Sequence, residues 1–180
     1  MKKIILILCV MMVATVAGCG PNSDVIETIE AIDAIGQVNA SSGSAIELAE
    51  EKFNALSERN KEKVENAASL VDAREKFEPL NQFAMVGESL QDGFYMELSS
   101  DKMSITIDTN PNDREDYFDM AALDLIQELH KELGIPDGVY TAMMQTRSID
   151  GRPTRTQGNI NISWSYHPDK GLDVLYEISP

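Results

Sequence analysis

The sequence predicts an α+β fold: a small N-terminal helical bundle followed by an antiparallel four-stranded sheet, built of two hairpins, with two helices. Three observations predict it. Apolar residues recur every three or four positions from Val25 to Phe77, the spacing of a helix face. They then alternate with period two at Phe94, Met96 and Leu98, at Met103, Ile105 and Ile107, and again on both sides of Pro168. With 43% hydrophobic and 25% charged residues, the 180-residue chain is also too apolar to stay disordered.

Each element has its own signal. Val25, Ile29, Ile32 and Ile35 form the stripe of a first helix, and Gly36 is a natural stop after it. Ser44 and Glu47 have capping-box spacing at the head of a second helix, whose apolar face is Ile46, Ala49, Phe53 and Leu56. Ser57 offers a cap for a short third helix bearing Val64. Asn66 does the same for a fourth bearing Leu70, Ala73 and Phe77, which Pro79 is expected to end. Residues 24–80 are thus expected to form a helical module. An α+β module is expected over residues 83–180.

Within that second module, Ser99-Ser100-Asp101-Lys102 supplies the turn of a first hairpin. Phe118, Ala122, Leu125, Leu129 and Leu133 make a helix face closed by Gly134, and a shorter helix from Asp137 to about Thr146 carries Val139 and Met143. Ile160, Ile162, Trp164 and Tyr166, the turn Pro168-Asp169-Lys170-Gly171, then Leu172, Val174, Tyr176 and Ile178 make the second hairpin.

The N-terminus carries an address. Met1-Lys2-Lys3 is a basic start, and the apolar run from Ile4 to Val16, with Thr15 its one polar member, is too short to span a bilayer, which takes about 20 residues. It ends in Val16-Ala17-Gly18-Cys19, which resembles the lipobox of bacterial lipoproteins. The resemblance implies a signal peptide over residues 1–18, diacylglycerol and palmitate carried on Cys19, and a lipidated tether over residues 19–23. The protein is then expected to be exported and held by lipid on the outer face of the bacterial cytoplasmic membrane. Cys9 would leave with the signal peptide, so acylation of Cys19 would consume the one remaining thiol.

Charge excludes some partners. Thirty Asp and Glu face 15 Lys and Arg, a formal charge of −15. Removing Lys2 and Lys3 leaves 13 bases against 30 acids, or −17. Nucleic acid, which needs a basic face, is not an expected partner. An acidic domain on a lipid tether should stand off from an anionic membrane surface.

Two further resemblances bear on organisation. Ala34-Ile35-Gly36, Ser44-Ala45-Ile46, Phe53-Asn54-Ala55-Leu56, Lys63-Val64 and Leu70 together resemble a helical spacer repeat of Gram-positive bacterial surface proteins. The resemblance implies a stalk without catalytic residues. It departs at Asn39-Ala40-Ser41-Ser42-Gly43, which is looser than the usual linker. Ile107-Asp108-Thr109-Asn110-Pro111, Arg147-Ser148-Ile149-Asp150-Gly151-Arg152 and Ser163-Trp164-Ser165-Tyr166-His167-Pro168-Asp169 are similar to the end region of small Gram-positive lipoproteins. That implies a shared fold and export, with no activity attached.

Candidate chemistry is sparse. Asp108, Asn110, Asn112, Asp116 and Asp119 occupy positions 1, 3, 5, 9 and 12 of an EF-hand-like loop, where oxygen ligands suit Ca²⁺. Asp113 stands where such a loop wants glycine, Pro111 sits at position 4, and Asp119 is one methylene shorter than the usual glutamate. Arg147, Arg152 and Arg155 flank the Asp150-Gly151 turn and offer a carboxylate or phosphate clamp, or a set of surface ion pairs. His130, in the last turn of a helix where a cation is welcome, and His167 are expected to be structural. Trp164, Tyr166 and Tyr176 would form an aromatic binding platform if all faced solvent, and core if they packed on the helices.

No Gly-x-Ser-x-Gly elbow and no Gly-rich phosphate loop occurs. The expected function is therefore a membrane-anchored, non-catalytic binding or structural module that meets a protein or cell-wall partner, without a cofactor. A Ca²⁺-dependent binding module and a cell-wall hydrolase using Asp or Glu pairs are the alternatives.

Overall fold

A computed structural model describes residues 22–114 and 119–180. The helical half holds α1 (Ser23–Asp33), α2 (Gly43–Ala55), the single turn α3 (Glu58–Lys61) and α4 (Ala67–Leu90). Strands β1 (Met96–Leu98) and β2 (Ser104–Asp108) follow, then α5 (Met120–Glu132) and α6 (Asp137–Met144). A 3-10 turn (Ser148–Asp150) leads into β3 (Thr154–Gln157), β4 (Ile160–His167) and β5 (Gly171–Ile178). Both helices and antiparallel strands are as the apolar periods require.

Four details differ from the sequence expectation, each for a physical reason. The sheet has five strands, in the order β1-β2-β5-β4-β3, all antiparallel. The unexpected one, Thr154-Arg155-Thr156-Gln157, lies on an edge with every residue exposed, so it carries no apolar alternation to be read. Its turn is marked by Gly158, at φ +57°, the first central position of a two-residue connection to Ile160.

The second difference is α4, which does not stop at Pro79 but runs on to Leu90. An internal proline costs roughly 3 kcal/mol. Beyond it, however, Leu80, Phe83, Ala84 and Gly87 are all buried, and each large side chain buried is worth about 1.5–3 kcal/mol. Packing outweighs the lost hydrogen bond. The boundary expected between residues 80 and 83 thus falls inside a continuous helix.

Third, α2 begins at Gly43 with Ser42 at the cap position, two residues before the expected Ser44. Ser42 Oγ accepts from the Asn39 N–H at 3.0 Å, so its hydroxyl closes the preceding loop instead of the helix. Fourth, α5 buries Ala122, Leu123, Ile126, Leu129 and His130, a stripe rotated from the expected one. Leu125 and Leu133 lie at its half-buried margin. Asp119 caps α5, its Oδ1 accepting from Ala121 N–H at 2.9 Å. Phe118 lies outside the described residues.

One core joins the two halves. Ile46, Ala49 and Phe77 belong to the same contiguous cluster as Leu80, Phe83, Ile105, Ile126 and Tyr176. The link is the far half of α4. A Cβ on Gly87 would come within 2.8 Å of Leu98 Cδ1 and 3.2 Å of Ile105 Cδ1, so the missing side chain lets α4 lie directly on β1 and β2. On the helical side, Arg74 clamps α4 to α2 with two bonds to Glu50, Nε to Oε1 at 2.7 Å and Nη2 to Oε2 at 2.5 Å. Among the described residues, the core runs from Val25 to Ile178. Among the described residues no helix is long and apolar enough to cross a membrane.

The sheet has two unlike faces. Met96, Ile105, Ile107, Ile162, Trp164, Val174 and Tyr176 share the face under the helices. The other face presents Glu97, Thr106, Asp108, Asn161, Asp173 and Glu177 to water.

Candidate functional site

A concavity with a mixed lining lies at one end of the sheet, where α5, α6 and the β4–β5 turn meet. It is a cleft of about 330 Å³, at the low end of ligand-pocket sizes. Buried Leu123, Met143 and Leu172 form its apolar interior, while exposed Met144, Tyr166 and Pro168 stand at its mouth. Thr109, Thr146 and Asp119 supply the polar wall.

Each wall residue is placed by a local bond. Thr109 Oγ1 accepts from Leu172 N–H at 2.8 Å, stitching the end of β2 to the start of β5. Gly171 there has φ +80°, and a Cβ on it would meet Thr109 Oγ1 at 2.5 Å, so only glycine allows this approach. Thr146 Oγ1 donates to Ala142 O at 2.8 Å and accepts from the Trp164 indole N–H at 2.8 Å. Asp119 Oδ2 accepts from the Tyr95 hydroxyl. The cleft is therefore preformed by the fold, with two methionines as its adaptable surface.

The acidic loop takes a shape of its own. Asp108 Oδ1 accepts from Asn110 N–H at 2.8 Å. Asn110 is buried, its Nδ2 donating to Arg114 O at 2.9 Å and Asp169 O at 2.8 Å, its Oδ1 accepting from Arg114 N–H at 3.1 Å. That carboxamide ties the loop to the β4–β5 turn. Asp113 adopts φ +47° and pairs with Lys170 at 3.0 Å. Asp119 faces the helix cap and Tyr95, as above. Asn112 lies on the exposed side of the loop, and Asp116 falls outside the described residues. Among the described residues no three His, Cys, Asp or Glu side chains converge on a metal position.

The three arginines do not meet in a clamp. Arg147 is bidentate with Asp150, Nε to Oδ2 at 3.2 Å and Nη2 to Oδ1 at 2.9 Å, which folds the 3-10 turn on itself. Arg152 reaches over the open sheet face to Ser163 Oγ at 3.1 Å and Asp173 Oδ2 at 3.3 Å. Arg155 pairs in register with Ile162, which puts it on the opposite side of the sheet, where its Nη1 donates to Thr154 O at 2.9 Å.

Nor do the aromatics make an exposed platform. Trp164 and Tyr176 are core, and only Tyr166, at 39% exposure, reaches the surface. His130, at the C-terminal end of α5, packs inside the fold. It is buried, with Nε2 2.8 Å from the Tyr176 hydroxyl and no partner for Nδ1 among the described residues. Burial pushes its pKa down to about 4 against the opposing pull of Asp137, so it is neutral near pH 7. The same burial pushes the Tyr176 hydroxyl up. His167 is exposed at the β4–β5 turn and accepts from Asp169 N–H at 3.1 Å.

Sequence reading missed Thr109, Leu123, Met144 and Thr146 as one site. Their only common signal is position at element ends, since each is unremarkable by type. Compared with known protein families, curated proteins and solved structures, the chain matches none.

Proposed function

We propose that the protein is an exported lipoprotein, anchored through Cys19 to the outer face of the bacterial cytoplasmic membrane, and that its folded part is a non-catalytic binding module. The helices of residues 24–80 serve as the spacer that lifts the cleft away from the membrane. Anchoring is supported by the basic start, the apolar run and Val16-Ala17-Gly18-Cys19. Two acyl chains would hold it stably, at roughly 0.8 kcal/mol per buried CH₂.

The single observation that carries the binding reading is the preformed apolar cleft between α5, α6 and the β4–β5 turn, with exposed Met144 and Tyr166 at its mouth. Its lining offers shape and apolar surface with one carboxylate, a set suited to holding a ligand. Replacing Cys19 with Ser and fractionating the cells tests the anchor. The protein is expected to move from the membrane fraction to the medium; retention in the membrane would overturn the anchoring.

A further inference from the structure

The cleft also specifies its occupant. We infer that it takes a cationic, amphipathic peptide segment of a partner protein, one aliphatic or aromatic side chain entering the cleft and flanking Lys or Arg residues complementing the net negative charge of the chain. This rests on the binding reading above and names the partner chemistry of the same site.

Three observations combine. The interior, made by Leu123, Met143 and Leu172, is apolar and its volume of about 330 Å³ matches one or two side chains more closely than an extended ligand. The mouth keeps Met144 and Tyr166 exposed at 43% and 39%. Both are amphipathic or flexible side chains of the kind that re-pack against a peptide. Charge then selects the flanks. Among the described residues no lining residue is basic, the one carboxyl of the wall is Asp119, and Lys170 on the bounding turn is paired with Asp113. The whole chain carries −15. Such a surface repels an acidic segment and speeds the approach of a basic one.

The fold supplies its own reporter. Trp164 is the one tryptophan of the chain, is buried, and donates its indole N–H to Thr146, which lines the cleft. An occupant that presses on Thr146 must disturb that bond.

The test uses the chain from Gly20 onward, which contains every core residue among those described. It is titrated with acetyl-Lys-Lys-Phe-Leu-Lys-Lys-amide while the Trp164 indole ¹H–¹⁵N signal and fluorescence are followed. A saturable shift is expected, with affinity falling as salt rises. Exchanging Phe-Leu for Ala-Ala, or every Lys for Glu, should weaken binding about tenfold or more. Met144→Lys should do the same, whereas Val71→Lys, on the exposed surface of α4, should change it little. Equal binding of the Ala-Ala peptide would reduce the interaction to bulk charge and overturn the inference. Equal binding of the Glu peptide, or a Trp164 signal unmoved by any of the three, would overturn it too. These outcomes are independent of fractionation: an unmoved Trp164 leaves the Cys19 anchor standing, and a Cys19→Ser protein that stays in the membrane leaves the cleft standing.

Discussion

The helical and sheet halves both pair surface charges, but they differ in where their exposed apolar residues and loop-end polar groups gather. Around α1, α2 and α4 the charged side chains are paired across and along helices, as in Lys52–Glu27 at 3.0 Å, Arg74–Glu50 at 2.5 Å and Lys76–Asp72 at 2.8 Å. The exposed apolar residues there, Ile26, Leu48, Val71 and Met85, line none of the cleft. In the sheet half the polar groups turn inward to fix loop ends, as Asn110, Thr109 and Thr146 do, and the exposed Met144 and Tyr166 share one cleft. A spacer needs only a solvated surface and a sound interior. A site needs its polar groups spent on holding a shape open.

That contrast is sharpest at α4, which belongs to both halves. If the core is one unit, cutting it beyond Pro79 should unfold both. Phe83→Ala, at a fully buried position, is expected to cost about 3–5 kcal/mol. Helical circular dichroism and Trp164 fluorescence should shift together on denaturation. Separate midpoints would make the halves independent.

A titration separates the halves by chemistry. His130 in the sheet half has a folded pKa of about 4, against roughly 6.5 in an unfolded chain. Its contribution is therefore complete above the unfolded value and is lost as pH falls from about 6.5 toward 4, because the unfolded state takes up the proton first. The loss should reach roughly 3 kcal/mol. His130→Gln should flatten the stability profile in that window, measured by urea denaturation at several pH values. A profile that stays steep would assign the effect to other groups.

The smallest effect is expected on the surface of the helical half. Arg74→Gln removes the clamp from α2 to α4, which holds the Glu50 carboxyl below its ordinary range through the Arg74 hydrogen bonds. Both partners are near a third exposed, so the cost should be about 1 kcal/mol or less and should shrink in high salt. Denaturation at two ionic strengths measures it.

What could be read from sequence followed how much of each signal is local. The stripe Val25 to Ile32, the α2 face and the hairpin from Ile160 to Ile178 depend on spacing within one element and stand in the fold as expected, while Ile35 is buried just past the end of α1. Pro79 misled because a local penalty was outweighed by Phe83 and Leu80, whose partners lie far along the chain. Strand β3 was illegible because an exposed edge has no buried side to alternate with. Asn110 looked like a cation ligand by spacing, yet its partners include Asp169, brought to it only by the sheet. The cleft was invisible for the same reason. Thr109, Leu123, Thr146 and Leu172 meet there from β2, α5, α6 and β5 ends, and no run of sequence contains them.

The most direct measurement places a photo-crosslinking residue at position 144, at the cleft mouth, or at position 71, on the exposed side of α4, in cells making the full-length protein. Both side chains are exposed, at 43% and 60%. The expected result is a discrete adduct from position 144, joined to a Lys- or Arg-rich segment of its partner, and none from position 71. Adducts from position 71 with none from 144 would contradict the assignment of spacer and site.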